Sequence, residues 1–81
     1  MNDIQFLEHM VKSLVDYPDA VTISRTLDDM GVFMTVQVDK DDIGRIIGRE
    51  GNTAKAIRTL LRVYGMRTSA RINMKIVEPT Q

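Results

Sequence analysis

The stretch Asp42-Ile43-Gly44-Arg45-Ile46-Ile47-Gly48-Arg49-Glu50-Gly51-Asn52 organises the reading of the whole chain. Ile43, Ile46 and Ile47 stand at steps of three and four, one side of a short helix running from about Lys40 or Asp41 to Ile47. Asp39 is a plausible cap, and the carboxylates after it are favourable at the positive end of a helix macrodipole. Gly48 cuts that helix. Beyond Gly51, Asn52 or Thr53 is placed to cap a second helix with Ala54, Ile57, Leu60, Leu61 and Tyr64 as its buried stripe and Gly65 in the usual C-terminal position. Two helices therefore flank two glycines three residues apart. Such glycines let the chain turn sharply and remove Cβ atoms that would hold off a partner's backbone, while the following helix offers unpaired amides. The plainer alternative is a tight helix-turn-helix corner with no ligand.

Working outward, Ile4, Leu7, Met10, Val11, Leu14 and Val15 mark one stripe of a helix over 3–16, capped near Asn2 or Asp3 and stopped by Tyr17-Pro18-Asp19. The period then changes to two. Val21, Ile23 and Leu27 alternate with Thr22, Ser24 and Thr26, and Val32, Met34, Val36 and Val38 alternate with Phe33, Thr35 and Gln37. Asp28 to Gly31 supply turn chemistry between them, so an antiparallel hairpin is expected. Arg25 falls on the apolar face of the first strand, which suggests that this face opens toward solvent near its end. Ala70, Ile72, Met74 and Ile76 form a third strand before Glu78 and Pro79 end the pattern. The order is helix, strand, strand, helix, helix, strand. The helix pair is long enough for a crossover, so the second and third strands are free to pair in parallel. The expected fold is α+β, a three-stranded mixed sheet with helices packed on one face.

An 81-residue chain buries roughly 60% of its unfolded surface and supports one core. Hydrophobic residues at 43% and charged residues at 27% suit a globular domain. With no Cys, no Trp and only His9, there is no disulfide framework and little from which to build a metal site or a nucleophile-base pair. Neither a membrane span, which needs ~20 apolar residues, nor a signal peptide is visible, and a cytoplasmic location is the default.

The zero net charge conceals two opposed halves. Positions 1–42 carry nine acids against Lys12, Arg25 and Lys40, whereas 43–71 carry seven cations, six of them Arg, against Glu50 alone. On the second helix Lys55, Arg58 and Arg62 stand at steps of three and four and make one cationic stripe beside the glycine loop, which Arg45 and Arg49 extend. Arg presents a planar fork matched to phosphate. The bland alternative is a solvated helix face whose acids come from the other half of the fold.

At this point the motif becomes specific. Asp42 to Gly51, followed by Ile57-Arg58 and Leu60-Leu61, resembles the core of a KH domain in its type II order, α-β-β-α-α-β. The resemblance spans essentially all of residues 1–81 as a single KH domain, with the minimal motif at about 32–77 and a short tail at 78–81. It is similar to the small bacterial KhpA-type RNA-binding proteins. KH domains clamp about four single-stranded nucleotides against a G-x-x-G loop. The resemblance thus implies Gly48, Arg49, Glu50 and Gly51 as the clamp on the sugar-phosphate backbone, with Ile43, Ile46 and Ile47 plus residues of the second strand as apolar floor and wall. With the basic residues Arg45, Lys55, Arg58 and Arg62 it implies a non-catalytic binder of single-stranded RNA, an RNA chaperone or post-transcriptional regulator. It also implies a homodimer, or a heterodimer with a KH protein of the Jag/KhpB type.

Glu50 departs from a purely basic loop, because a carboxylate beside phosphates repels them unless it turns away or is paired. Phe6, Tyr17, Phe33 and Tyr64 are too few for base stacking of the kind other RNA-binding folds use, and Phe6 and Tyr64 are expected in the core. The competing function is a protein-interaction module that uses the acidic first helix and an exposed edge strand, with RNA incidental. No cofactor is expected. The loop lacks the Lys-Ser or Lys-Thr of a P-loop, so nucleotide hydrolysis has no support.

Overall fold

The computed structural model describes residues 2–77. The expected tail at 78–81 lies outside the described residues. Three α-helices, α1 (Asp3–Leu14), α2 (Ile43–Ile47) and α3 (Asn52–Arg67), and three strands, β1 (Thr22–Asp28), β2 (Gly31–Gln37) and β3 (Ile72–Val77), follow the order α-β-β-α-α-β. Single 3-10 turns occupy Pro18–Ala20, Lys40–Asp42 and Arg49–Gly51. The sheet order is β1-β2-β3, with β1 antiparallel and β3 parallel to β2.

Local chemistry explains most boundaries. The Asn2 side chain accepts from the Gln5 amide and Gln5 reaches back to the Asn2 amide, a reciprocal cap that starts α1. The hairpin closes through Asp29 and Met30, and the Asp28 carboxylate accepts from the Met30 amide at 2.8 Å. α1 ends at Leu14, two residues before the expected limit. Val15 turns extended, and the amides of Asp16 and Tyr17 leave the helix to donate to the Asp42 carboxylate, each at 3.0 Å.

One apolar cluster joins the helices to one face of the sheet, with Leu7 and Val11 of α1, Met34 and Val36 of β2, Ile46 of α2 and Leu61 of α3 the most enclosed. Phe6 and Tyr64 stack at its margin with ring centroids 5.1 Å apart. β1 is barely covered: Leu27 is 67% exposed, and Arg25, on the same face, meets Asp3 of α1 at 3.1 Å.

Three expectations change. Leu14 and Leu60, expected in buried stripes, are 42% and 48% exposed, because each lies on the flank of its helix beside a surface groove between α1 and α3. The N-cap of α3 is Gly51, with Asn52 and Thr53 inside the helix and no side-chain cap bond. Gly65 does not end α3, which runs to Arg67, and the left-handed turn falls to Ser69 (φ 58°). Gly65 is buried and makes room, since a Cβ there would overlap the Ala70 carbonyl oxygen.

Candidate nucleic-acid interface

Between α2 and α3 the backbone reverses over four residues. Gly48 has φ 75° and ψ 177°, a conformation open to glycine, and a Cβ there would lie 2.8 Å from the Thr53 nitrogen and overlap its side chain. Gly51 is left-handed at φ 76°, yet a Cβ there would meet nothing within 4 Å. The two glycines therefore serve different ends. Gly48 lets the loop close on the first turn of α3, and Gly51 keeps a surface bare at that helix's N-terminus. The Gly48 amide donates to the Gly44 carbonyl at 2.8 Å, which ties the loop to α2, and Gly51 donates back to Gly48 at 3.2 Å.

Arg49 and Glu50 occupy the exposed tip. Glu50 is left-handed (φ 55°, ψ 27°), a conformation costing an L-residue about 1–2 kcal/mol. Its carboxylate forms no ion pair among the described residues, so it neither neutralises Arg49 nor is neutralised.

Lys55, Arg58 and Arg62 project from α3 and are exposed. Arg58 leans over the sheet edge, its Nε donating to the Met74 carbonyl at 3.4 Å. The parity of β3 explains that contact. The Val32 amide donates to the Arg71 carbonyl at 2.7 Å, so in the parallel ladder the odd-numbered β3 residues bond to β2. The backbone groups of Ile72, Met74 and Ile76 then face the outer edge, parallel to the cationic stripe of α3. A narrow cleft of about 110 Å³ lies there, lined by Arg58, Leu61, Arg62, Ile72, Asn73 and Met74.

Charge pairing bears on the bland alternative for the basic half. Of its seven cations only Arg45 meets an acid among the described residues, Asp16 at 3.0 Å and Asp42 at 3.7 Å. Two further acids of the first half pair within that half, Asp3 with Arg25 and Glu8 with Lys12. The stripe beside the loop thus keeps its charge.

Among the expected site residues, Gly48, Arg49, Glu50, Gly51, Lys55, Arg58 and Arg62 line one side of the molecule from the loop along α3. Two sit differently. Ile46 is fully buried beneath the loop, so it supports the floor from inside the core and presents nothing to a ligand; Ile43 and Ile47 are half-buried and form the surface there. Arg45 is held by two carboxylates on the side of α2 facing the α1–β1 connection.

Asp42, in sequence one of several carboxylates favourable at a helix start, is a fully buried anchor that locks the start of α2 to Asp16 and Tyr17. Nothing in the sequence separates it from Asp39, which caps the turn at Asp41, or from exposed Asp41. An exposed edge strand is expected from the sequence but not which one; β2, expected to help form the floor, is the central strand, β1 and β3 are both edges, and β3 is the one that lies beside the α3 cations. No group of three or more His, Cys, Asp or Glu stands together as a metal site, and no helix is long and apolar enough to cross a membrane, among the described residues.

Comparison with known proteins agrees with this geometry. The family model described as "KhpA/KhpB, KH domain" matches residues 4–76. The RNA-binding protein KhpA of Chlamydia pneumoniae is 42% identical over 74 residues, covering 91% of this chain and 95% of that protein. The RNA-binding protein KhpA of Borreliella burgdorferi is 38% identical over 77 residues, 95% of this chain and 94% of its own length. Among solved structures, Era of Aquifex aeolicus bound to GDP and aluminium fluoride superposes with a TM-score of 0.61 at 14% identity. That match covers 94% of this chain but 31% of Era, and it is a likeness of fold alone.

Proposed function

This chain belongs to the KhpA/KhpB family of KH domains, and from that premise we propose that it is a non-catalytic binder of single-stranded RNA. The backbone of the strand rests on the Gly48-Arg49-Glu50-Gly51 loop. Lys55, Arg58 and Arg62 neutralise its phosphates, half-buried Ile43 and Ile47 supply the apolar wall, and bases meet the outward backbone groups of Ile72, Met74 and Ile76 on the β3 edge. The single observation that carries the reading is the run of unpaired cations on α3 beside a loop whose second glycine leaves open space. Arg45 supports α2 from behind. Gly44 adds to the clamp, because it is exposed, a Cβ there would meet nothing within 4 Å, and the bare α2 backbone admits close approach. A module that grips so few nucleotides suits an RNA chaperone or post-transcriptional regulator in the cytoplasm.

The test is fluorescence anisotropy of a short labelled single-stranded RNA across a salt series, for the wild type and for Arg49→Asp combined with Glu50→Asp. Asp tolerates the left-handed position of Glu50, so the variant keeps the loop conformation, and circular dichroism checks the fold. The wild type is expected to bind with a negative salt slope and the variant to lose binding. Equal binding by both proteins overturns the clamp.

A specific observation favours a second, compatible property. Leu14 and Leu60 are exposed on facing flanks of α1 and α3, beside an apolar groove lined also by Met10, Ala56 and Ile57. We propose that this face joins two KH modules, in a homodimer or with a second KH protein of the Jag/KhpB type, so that two weak RNA contacts act together. Light scattering after size exclusion should give a dimer for the wild type and a monomer for Leu60→Asp. A wild-type monomer at micromolar concentration removes self-association.

A further inference from the structure

The face of the sheet turned away from the helices is a second, separate surface. Alternation buries Val32, Met34 and Val36 of β2 in the core and puts Phe33, Thr35 and Gln37 on the other side. The register adds Ser24 and Thr26 of β1 and Asn73 and Lys75 of β3 to that side. Arg71, just before β3, belongs to it as well. Its neighbour Ile72 is buried, and a Cβ on Gly31 would stand 3.0 Å from the Arg71 Cβ, so Arg71 leaves the sheet beside bare Gly31, two residues from Phe33.

Phe33 lies at the centre of this face. It is 40% exposed, outside the core cluster and without a ring contact among the described residues. Thr26 stands opposite it on one side and Asn73 on the other. Arg71 and Lys75 lie two residues before and after Asn73, ~13 Å apart, so Phe33 is level with the midpoint between two cations. Both cations are exposed, and neither meets an acid among the described residues. The one acid of the face among those residues is Asp28, in the hairpin corner two strands away, and its carboxylate already accepts from the Met30 amide.

We infer that this face is a second site for single-stranded RNA, in which one base lies on the Phe33 ring and Arg71 and Lys75 take the phosphates on either side of it. Every base has a π face, so the stack tolerates any sequence, while Asn73 and Thr35 offer an amide and a hydroxyl to base edges. Charge selects the occupant. Two copies of this face pressed together would bury two Arg71 and two Lys75 against two Asp28, and the hydroxyl-rich surroundings of Phe33 would add little apolar area to offset that cost. A nucleic-acid strand brings both the anions and the stacking partner. The loop and α3 lie on the opposite side of the sheet, so this site works without them and one domain holds two segments of RNA. With two cations against Arg49, Lys55, Arg58 and Arg62, it is the weaker of the two.

The test is a proton-nitrogen NMR titration of the labelled full chain with an oligouridylate of seven nucleotides, for wild type, Phe33→Thr, Arg71→Gln with Lys75→Gln, and the loop variant Arg49→Asp with Glu50→Asp. Phe33→Thr keeps a strand-forming residue at a position outside the core, and both Gln replacements are at exposed side chains, so these variants should give dispersed spectra like that of the wild type. In the loop variant the amides of Thr26, Phe33, Thr35 and Asn73 should still shift, at higher RNA concentration than the loop amides of the wild type need. Phe33→Thr should weaken the sheet-face titration about tenfold and leave that of the loop and α3 unchanged. The double Gln variant should make its salt slope shallower by ~1.4, the value of two single-strand phosphate contacts. Shifts confined to the loop and α3 overturn the sheet site and leave the clamp standing, whereas absent loop shifts overturn the clamp alone. Sheet-face shifts that neither variant weakens overturn the stack. Sheet-face shifts that appear on concentrating the protein without RNA assign the face to a second copy and overturn the inference.

Discussion

Replacing Asp42 should cost this domain a large share of its stability. The side chain is fully buried, accepts from the amides of Asp16 and Tyr17 at 3.0 Å each, and lies 3.7 Å from the Arg45 Nε. Asp42→Ala strips the acceptors from two part-buried amides at ~1–3 kcal/mol each, so a loss of about 3 kcal/mol is expected. A chain of this length holds only ~4–12 kcal/mol in total at the usual stability per residue. Asp42→Asn keeps one oxygen but turns an NH2 group toward the other amide, and should lose about half as much. Arg45→Ala removes an ion pair whose Arg side chain is more than half exposed, so it should cost no more than ~0.5 kcal/mol. Urea unfolding followed by far-ultraviolet circular dichroism ranks the three variants, provided their denaturant slopes agree. An Asp42→Ala loss below about 1 kcal/mol, or an Arg45→Ala loss equal to it, would refute the assignment of Asp42 as the acceptor that joins α2 to the α1–β1 connection.

Other substitutions probe other contacts. Gly65→Ala, which in an open helix would stabilise by ~1 kcal/mol, should instead destabilise by about 2 kcal/mol in thermal melts, because its Cβ meets backbone that cannot rotate away. Glu50→Gly should leave stability within ~0.5 kcal/mol, since relief of the left-handed Glu is offset by a more flexible unfolded chain. The same change removes a carboxylate from the loop tip and should tighten RNA binding about threefold at low salt, read by anisotropy. A double-mutant cycle of Phe6→Leu and Tyr64→Leu should show a coupling of ~1 kcal/mol from the lost ring stacking.

Much of the fold could be read directly. The change of hydrophobic period from 3.6 to two and back, the hairpin turn at Asp28 to Gly31 and the glycine break at Gly48 are properties of neighbours in the chain, and the structure places helices, strands and loop accordingly. The position of the cationic stripe beside the loop was legible for the same reason, since steps of three and four on α3 fix which side chains share a face.

What stayed hidden depends on which elements meet. Asp39, Asp41 and Asp42 are alike in sequence, and only Asp42 becomes buried, because residues 25 and 26 positions earlier bring two amides to it. Leu60 and Leu61 are adjacent apolar residues; the sheet covers Leu61 and leaves Leu60 beside an open groove. Ile46 and Ile47 divide likewise between core and surface, Arg45 finds its acids on another segment, and Gly65 is buried because Ala70 doubles back on α3 there. Periodicity and turn chemistry act between neighbouring residues and are written into the sequence order. Burial, charge pairing and the walls of a cavity are made by residues far apart in the chain, and only the packing of the helices on the sheet decides them.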